Sequence, residues 1–89
     1  NELVENVTVL GATGVQGQVR IPERSFSLVD VIGAARGLSD DSADPRAVFL
    51  LRADGEGRPP VAYQLDMRRP DAIVLANRMV VKDGDAVLV

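Results

Sequence analysis

Apolar and polar positions along the 89-residue chain change period several times, and each change marks an element. Residues 7–10 (Val-Thr-Val-Leu) are β-branched and half-alternating, and Gly11 closes them, which predicts a strand. Glycines at 11, 14 and 17 then punctuate a turn. Gln18, Val19, Arg20 and Ile21 alternate polar with apolar until Pro22 stops them, so the two stretches read as a β-hairpin. From Leu28 the period lengthens: Leu28, Val31, Ile32 and Ala35 fall at i, i+3, i+4 and i+7, one face of a helix. Ser27 with Asp30 three residues on is a capping-box pattern. Gly37 supplies the left-handed residue wanted past the helix end. An apolar strand over 48–51 is followed by a loop through 54–57 and Pro59-Pro60, then by an alternating strand over 61–65. Pro70 opens a short helix through Ala76, because its missing N–H is not needed in a first turn. Residues 83–85 (Asp-Gly-Asp) make a tight turn into a last strand over 86–89.

Hairpin, helix, two strands, short helix, strand is the order of an α+β protein. It predicts the β-grasp (ubiquitin-like) architecture, a mixed sheet packed on one main helix with a short second helix. With 46% apolar and 26% charged residues the chain has the balance of a globular domain and not of a disordered tail. We expect one domain over 7–89, preceded by a linker over 1–6. A chain this short buries roughly 60–65% of its unfolded surface, so its core leaves little room for an enclosed active site. No apolar run approaches the ~20 residues of a membrane span. No basic stretch followed by an apolar one marks a signal peptide. The first residue is Asn1 and not Met, as expected of a piece cut from a longer protein.

Cysteine and histidine are both absent. Their absence excludes disulfides, thiolate nucleophiles, zinc sites of the usual ligand types, iron–sulfur clusters and every Ser-His or Cys-His dyad. The formal charge is 10 − 13 = −3, no basic stripe is present, and only Phe26, Phe49 and Tyr63 could stack on bases, so nucleic acid is not expected as a partner. Phe49 lies in an apolar run and is expected in the core. The stretch 7–17, VTVLGATGVQG, resembles a dinucleotide-binding turn, but that motif needs a helix after it. Here period two follows, and Pro22 would break a helix after about one turn. Asp40, Ser42 and Asp44 have the spacing of a calcium loop, yet Pro45 stands where glycine makes the sharp turn and Leu51 where the bidentate Glu belongs. Lys82 and Ser25, Ser27, Ser39 and Ser42 have no partner that would activate them. Neither catalysis nor a cofactor or metal is expected. Nine of the ten cations are Arg, and Arg68, Arg69 and Arg78 could gather near the second helix as forks for carboxylates, including those of acidic sugars; the alternative is pairing with the carboxylates around them. Tyr63 is the one aromatic platform a sugar ring could use.

The landmarks taken together resemble the soluble-ligand-binding β-grasp (SLBB) domain of the outer-membrane polysaccharide export family, the Wza-like proteins. The matching residues are Val7 to Gly11, Gly17-Gln18-Val19, Leu28, Ile32, Ala35 to Leu38, Ala43-Asp44, Val48 to Arg52, Tyr63 to Asp66, and Val81 to Val89. The part after Tyr63, with Pro70, Leu75-Ala76, Arg78 and the Asp-Gly-Asp turn, is similar to the exporter subgroup in particular. Arg36 stands where the family often has a glycine, and Gln16 where it often has proline. The resemblance implies a non-catalytic periplasmic module of a capsule or exopolysaccharide export channel associated with the outer membrane. Its implied partners are further copies in a ring, an inner-membrane polysaccharide co-polymerase and the polysaccharide itself. Contact with polysaccharide or partner is expected at Gly14, Gln16, Arg36, Tyr63, Arg68, Arg69 and Arg78. An alternative is a ligand-binding SLBB module in another host, of the DNA-uptake or vitamin-carrier type.

Overall fold

A computed structural model describes residues 5–39, 43–53 and 57–89. The elements are β1 (Asn6–Leu10), β2 (Gly17–Arg20), α1 (Leu28–Ala34), β3 (Val48–Arg52), β4 (Val61–Leu65), α2 (Pro70–Arg78) and β5 (Ala86–Leu88). They form one five-stranded sheet in the order β2-β1-β5-β3-β4. β1 and β5 are parallel and every other pairing is antiparallel. This is the mixed sheet that the pattern predicts, with the first and last strands side by side at its centre.

Alternation along each strand decides what faces the helices. Val7 and Val9, Val87, and Val48 and Leu50 are fully buried on one face. With Leu28, Val31, Ala35, Leu65, Ala76 and Val81 most of them form the core, and each fully buried Leu or Val contributes about 1.5–3 kcal/mol. Leu10, Leu88 and Phe49, which are neighbours in register, point to the other face. Phe49 is therefore half-buried on the outer face and not in the core, because it is out of step with Val48 and Leu50.

α1 begins on the capping box that Ser27 and Asp30 predict. Ser27 Oγ accepts from Asp30 N at 3.1 Å, and Asp30 Oδ2 accepts from Ser27 N at 2.9 Å. It ends one residue earlier than Gly37 implies. Arg36 N donates to Gly33 O at 3.0 Å and Gly37 N to Ile32 O at 2.8 Å, the paired bonds of a Schellman ending. The left-handed residue in that ending is Arg36, at φ 65°, and Gly37 follows it at φ 75°.

The second helix is longer than expected. It runs through Arg78 and has nine residues against seven in α1, although of its side chains only Ala76 is buried. α1 still anchors the core through Leu28 and Val31. Of the expected linker, residues 1–4 lie outside the described residues, and β1 starts at Asn6.

Candidate functional site

Gly11 to Gly17 lie against the end of α1. Gly14 N donates to Gly37 O at 3.1 Å, Val15 N to Ala35 O at 2.8 Å, and Ser39 N to Ala12 O at 2.8 Å. The loop thus supplies donors to carbonyls that a helix end leaves open. A Cβ at Gly14 would sit 2.7 Å from Arg36 Cβ and 3.0 Å from Arg36 O, which is why the loop needs glycine there. Thr13 Oγ1 donates to Val15 O at 2.9 Å, and Gln16 Oε1 accepts from Gly11 N at 3.4 Å. The amides of 14 and 15 are spent on protein carbonyls, and β2, not a helix, follows the loop. Both facts remove the dinucleotide-turn geometry. The fold brings Gly14, Gln16 and Arg36 into one exposed region, with Arg36 free of carboxylates among the described residues.

The other expected cations do not gather. Arg69 occupies the residue position just ahead of α2, with no side-chain capping bond, and Arg78 is the last residue of the helix, roughly 13 Å away along it. Arg68 forks onto Asp66, with Nε to Oδ1 at 3.0 Å and Nη2 to Oδ2 at 2.8 Å. Arg69 forks onto Asp71 with both distances 3.1 Å. Arg46 repeats the Arg68 arrangement on Asp44, and Met67 N donates to Pro45 O at 2.7 Å, so two Asp-X-Arg turns stand side by side. Hydrogen bonding from Arg68 holds the Asp66 carboxyl down at about 2, and Arg46 and Arg69 likewise lower Asp44 and Asp71. Arg68 and Arg69 are therefore already paired with carboxylates two residues away in the chain.

Tyr63 lies on β4, the edge of the sheet, and is 42% exposed. It faces a groove of about 490 Å³ shared with Leu65, Leu75 and Met79. Loop 11–17 with Arg36 is one region; Tyr63 shares its groove with Met79, which follows Arg78 in the chain, while Arg68 and Arg69 lie paired ahead of α2.

Sequence reasoning missed Asp85, the one strongly buried charge among the described residues. Asp85, 3% exposed, accepts from Arg52 Nη2 at 2.7 Å and Nε at 3.1 Å, and from Lys82 N at 2.9 Å. Arg52 Nη2 also donates to Val80 O at 3.0 Å. The uniformly apolar run at 48–51 hid this pair: only the fold shows that Arg52 shares its parity on β3 with Val48 and Leu50, and a cation on that face needs a carboxylate to receive it. Asp85 is thus structural, pinning the 82–85 turn to β3, while Asn6 N donates to Asp83 Oδ1 at 2.9 Å and ties the same turn to β1.

Among the described residues, no group of three carboxylates is placed to hold a metal, and no helix is long and apolar enough to cross a membrane. Asp40 and Ser42 of the calcium-loop pattern lie outside the described residues, and Asp44 is engaged by Arg46.

Residues 5–89 match the sequence profile described as the SLBB domain. The chain belongs to the SLBB-domain family. The Vi polysaccharide export protein VexA/TviF of Salmonella typhi is 37% identical over 94 residues, covering 99% of this SLBB chain and 26% of the relative. The EPS I polysaccharide export outer membrane protein EpsA of Ralstonia nicotianae is 41% identical over 64 residues, 72% of this chain and 16% of its own. The capsule polysaccharide export protein BexD of Haemophilus influenzae is 31% identical over 101 residues, 92% of this chain and 26% of its own. The SLBB domain therefore spans about a quarter or less of the length of the relatives it matches.

Proposed function

We propose that the chain is a non-catalytic SLBB module of a polysaccharide export channel, held in the periplasm as part of an outer-membrane-associated protein. The observation that carries this reading is the match to a polysaccharide export protein along nearly the whole chain. The geometry is consistent with a rigid spacer: its buried charge pins a turn, its glycine loop closes a helix, and its Arg forks brace neighbouring turns. In this reading the module packs against further copies in a ring, near an inner-membrane co-polymerase, and its rigidity holds the bore of the conduit. The exposed region of Gly14, Gln16 and Arg36 is its polysaccharide-facing side, where the unpaired Arg36 guanidinium suits sugar carboxylates. Arg68 and Arg69 are assigned to bracing.

The test is made in the full-length export protein that carries this domain. In-frame removal of residues 5–89 should abolish surface polysaccharide while the truncated protein still reaches the outer membrane. Arg36→Glu should lower export with protein level unchanged. Normal export after the deletion overturns the channel role, and normal export with Arg36→Glu overturns only the sugar-facing assignment.

A further inference from the structure

β4 ends the sheet, pairing with β3 alone among the described strands. Alternate N–H and C=O groups along an edge strand point outward with no strand to receive them. Four of its five residues are exposed. It lacks the usual guards of an edge: no charge lies between Val61 and Leu65, and Pro59 and Pro60 stop short of it. The opposite edge, β2, is shorter and carries Gly17 and Arg20.

α2 runs back alongside this strand. Residues 66–69 lead from Leu65 to Pro70 at one end. At the other end Arg52 pairs in register with Val61 and donates to Val80 O, so the Met79 end of the helix lies beside the Val61 end of the strand. The groove between them is apolar, with Tyr63, Leu75 and Met79 on its walls. Its two ends differ in charge. At the Leu65 end Arg68 and Arg69 are already paired with Asp66 and Asp71. Towards the Val61 end Arg58 and Arg78 are exposed and have no carboxylate partner among the described residues.

We propose that β4 and α2 take up an extended peptide segment by strand addition. The segment runs antiparallel to β4, lays alternate apolar side chains into the groove, and brings an acidic C-terminal end to Arg58 and Arg78. Main-chain bonds to the free edge supply affinity, Tyr63, Leu75 and Met79 select apolar residues, and the two cations set the direction. A second copy of this chain fits less well. Two-fold antiparallel pairing centred on Tyr63 turns Arg58 of one copy towards Arg68 of the other, whose neighbouring carboxylates are already engaged.

The probe is a synthetic peptide of alternating valine and threonine ending in two aspartates, titrated into the ¹⁵N-labelled chain. Amide shifts are expected in residues 61–65 and at Leu75 and Met79. Affinity should fall about tenfold in the Arg58→Glu/Arg78→Glu double variant, and by a similar factor when lysines replace the peptide's aspartates. A proline in the middle of the peptide should remove binding. No shift at about 1 mM peptide overturns the proposal, since strand addition that weak carries no recognition. Shifts confined elsewhere, unchanged affinity with the lysine peptide, or equal binding of the proline peptide also overturn it. Shifts in 61–65 that grow with protein concentration and ignore the peptide make a second copy the occupant instead.

Discussion

At Arg36 the chain accepts a backbone conformation that suits glycine. The side chain stands at φ 65° in the Schellman ending of α1, where an L-residue with a Cβ loses on the order of 1 kcal/mol. Arg36→Gly should therefore raise stability by about 0.5–1 kcal/mol, after allowing for the greater freedom of glycine in the unfolded chain. Thermal unfolding should show this as a midpoint a few degrees higher, and an unchanged or lower midpoint would mean that the Arg36 side chain offsets its own strain. Asp85 presents the opposite balance. It is buried against Arg52 and Lys82 N, so Asp85→Ala leaves a partly buried guanidinium and an amide with no acceptor. That change should cost about 3 kcal/mol in urea denaturation. The Arg52→Met/Asp85→Leu double variant should recover most of the loss, because the cost lies in the abandoned partner more than in the pair. A double variant as unstable as the single one would make the ion pair itself the stabilising feature.

At the scale of elements, what was legible in the sequence was what local periodicity carries. The capping box at Ser27, the alternation in β1 and β4 and the proline opening α2 all have their cause within a few residues. What escaped reading depends on which neighbour an element meets. Gly37 drew the helix ending to itself, although hydrogen bonding places the first left-handed residue at Arg36. The apolar run at 48–51 gives no parity by itself, so the outward position of Phe49 emerges only when Leu50 is set beside Val87 and Tyr63. For Arg68 and Arg69 the sequence left two readings, a fork for sugar carboxylates or pairing with the carboxylates around them, and the structure shows the second, on Asp66 and Asp71. The expected contact residues fall in three places: Gly14, Gln16 and Arg36 share one region, Arg68 and Arg69 adjoin ahead of α2, and Arg78 stands at the end of α2 that Tyr63's groove reaches. The extent of α2 was hidden because its exposed Ile73, Val74 and Leu75 do not repeat with helical period.

For the whole molecule, electrostatics set how it meets acid. The chain has no histidine and no cysteine, so no side chain with an ordinary pKa titrates between about pH 5 and 8, and stability should be flat there. The depressed carboxyls act lower down. Asp66 moves from 3.8 to about 2 on folding, and Asp44 and Asp71 move in the same direction. A lowered folded pKa contributes stability that is present above the unfolded value and lost as pH falls through the folded one. Melting temperature should hold down to about pH 4 and then decline towards pH 2, less steeply in high salt because these pairs are exposed. A decline beginning near neutral pH would contradict the assignment of these three groups.

The parallel pairing of β1 with β5 has a mechanical consequence. Because Thr8 lies opposite Ala86 and Leu10 opposite Leu88, the chain comes in at one end of the sheet and leaves at the other. Tension drawn along the chain from Asn6 to Val89 then acts along these two strands in opposite senses and loads their hydrogen bonds together in shear. A hairpin pulled from its open end gives way one bond at a time, like a zip. Here separation requires the whole row to fail at once, so the module transmits a pull along its length while keeping its shape.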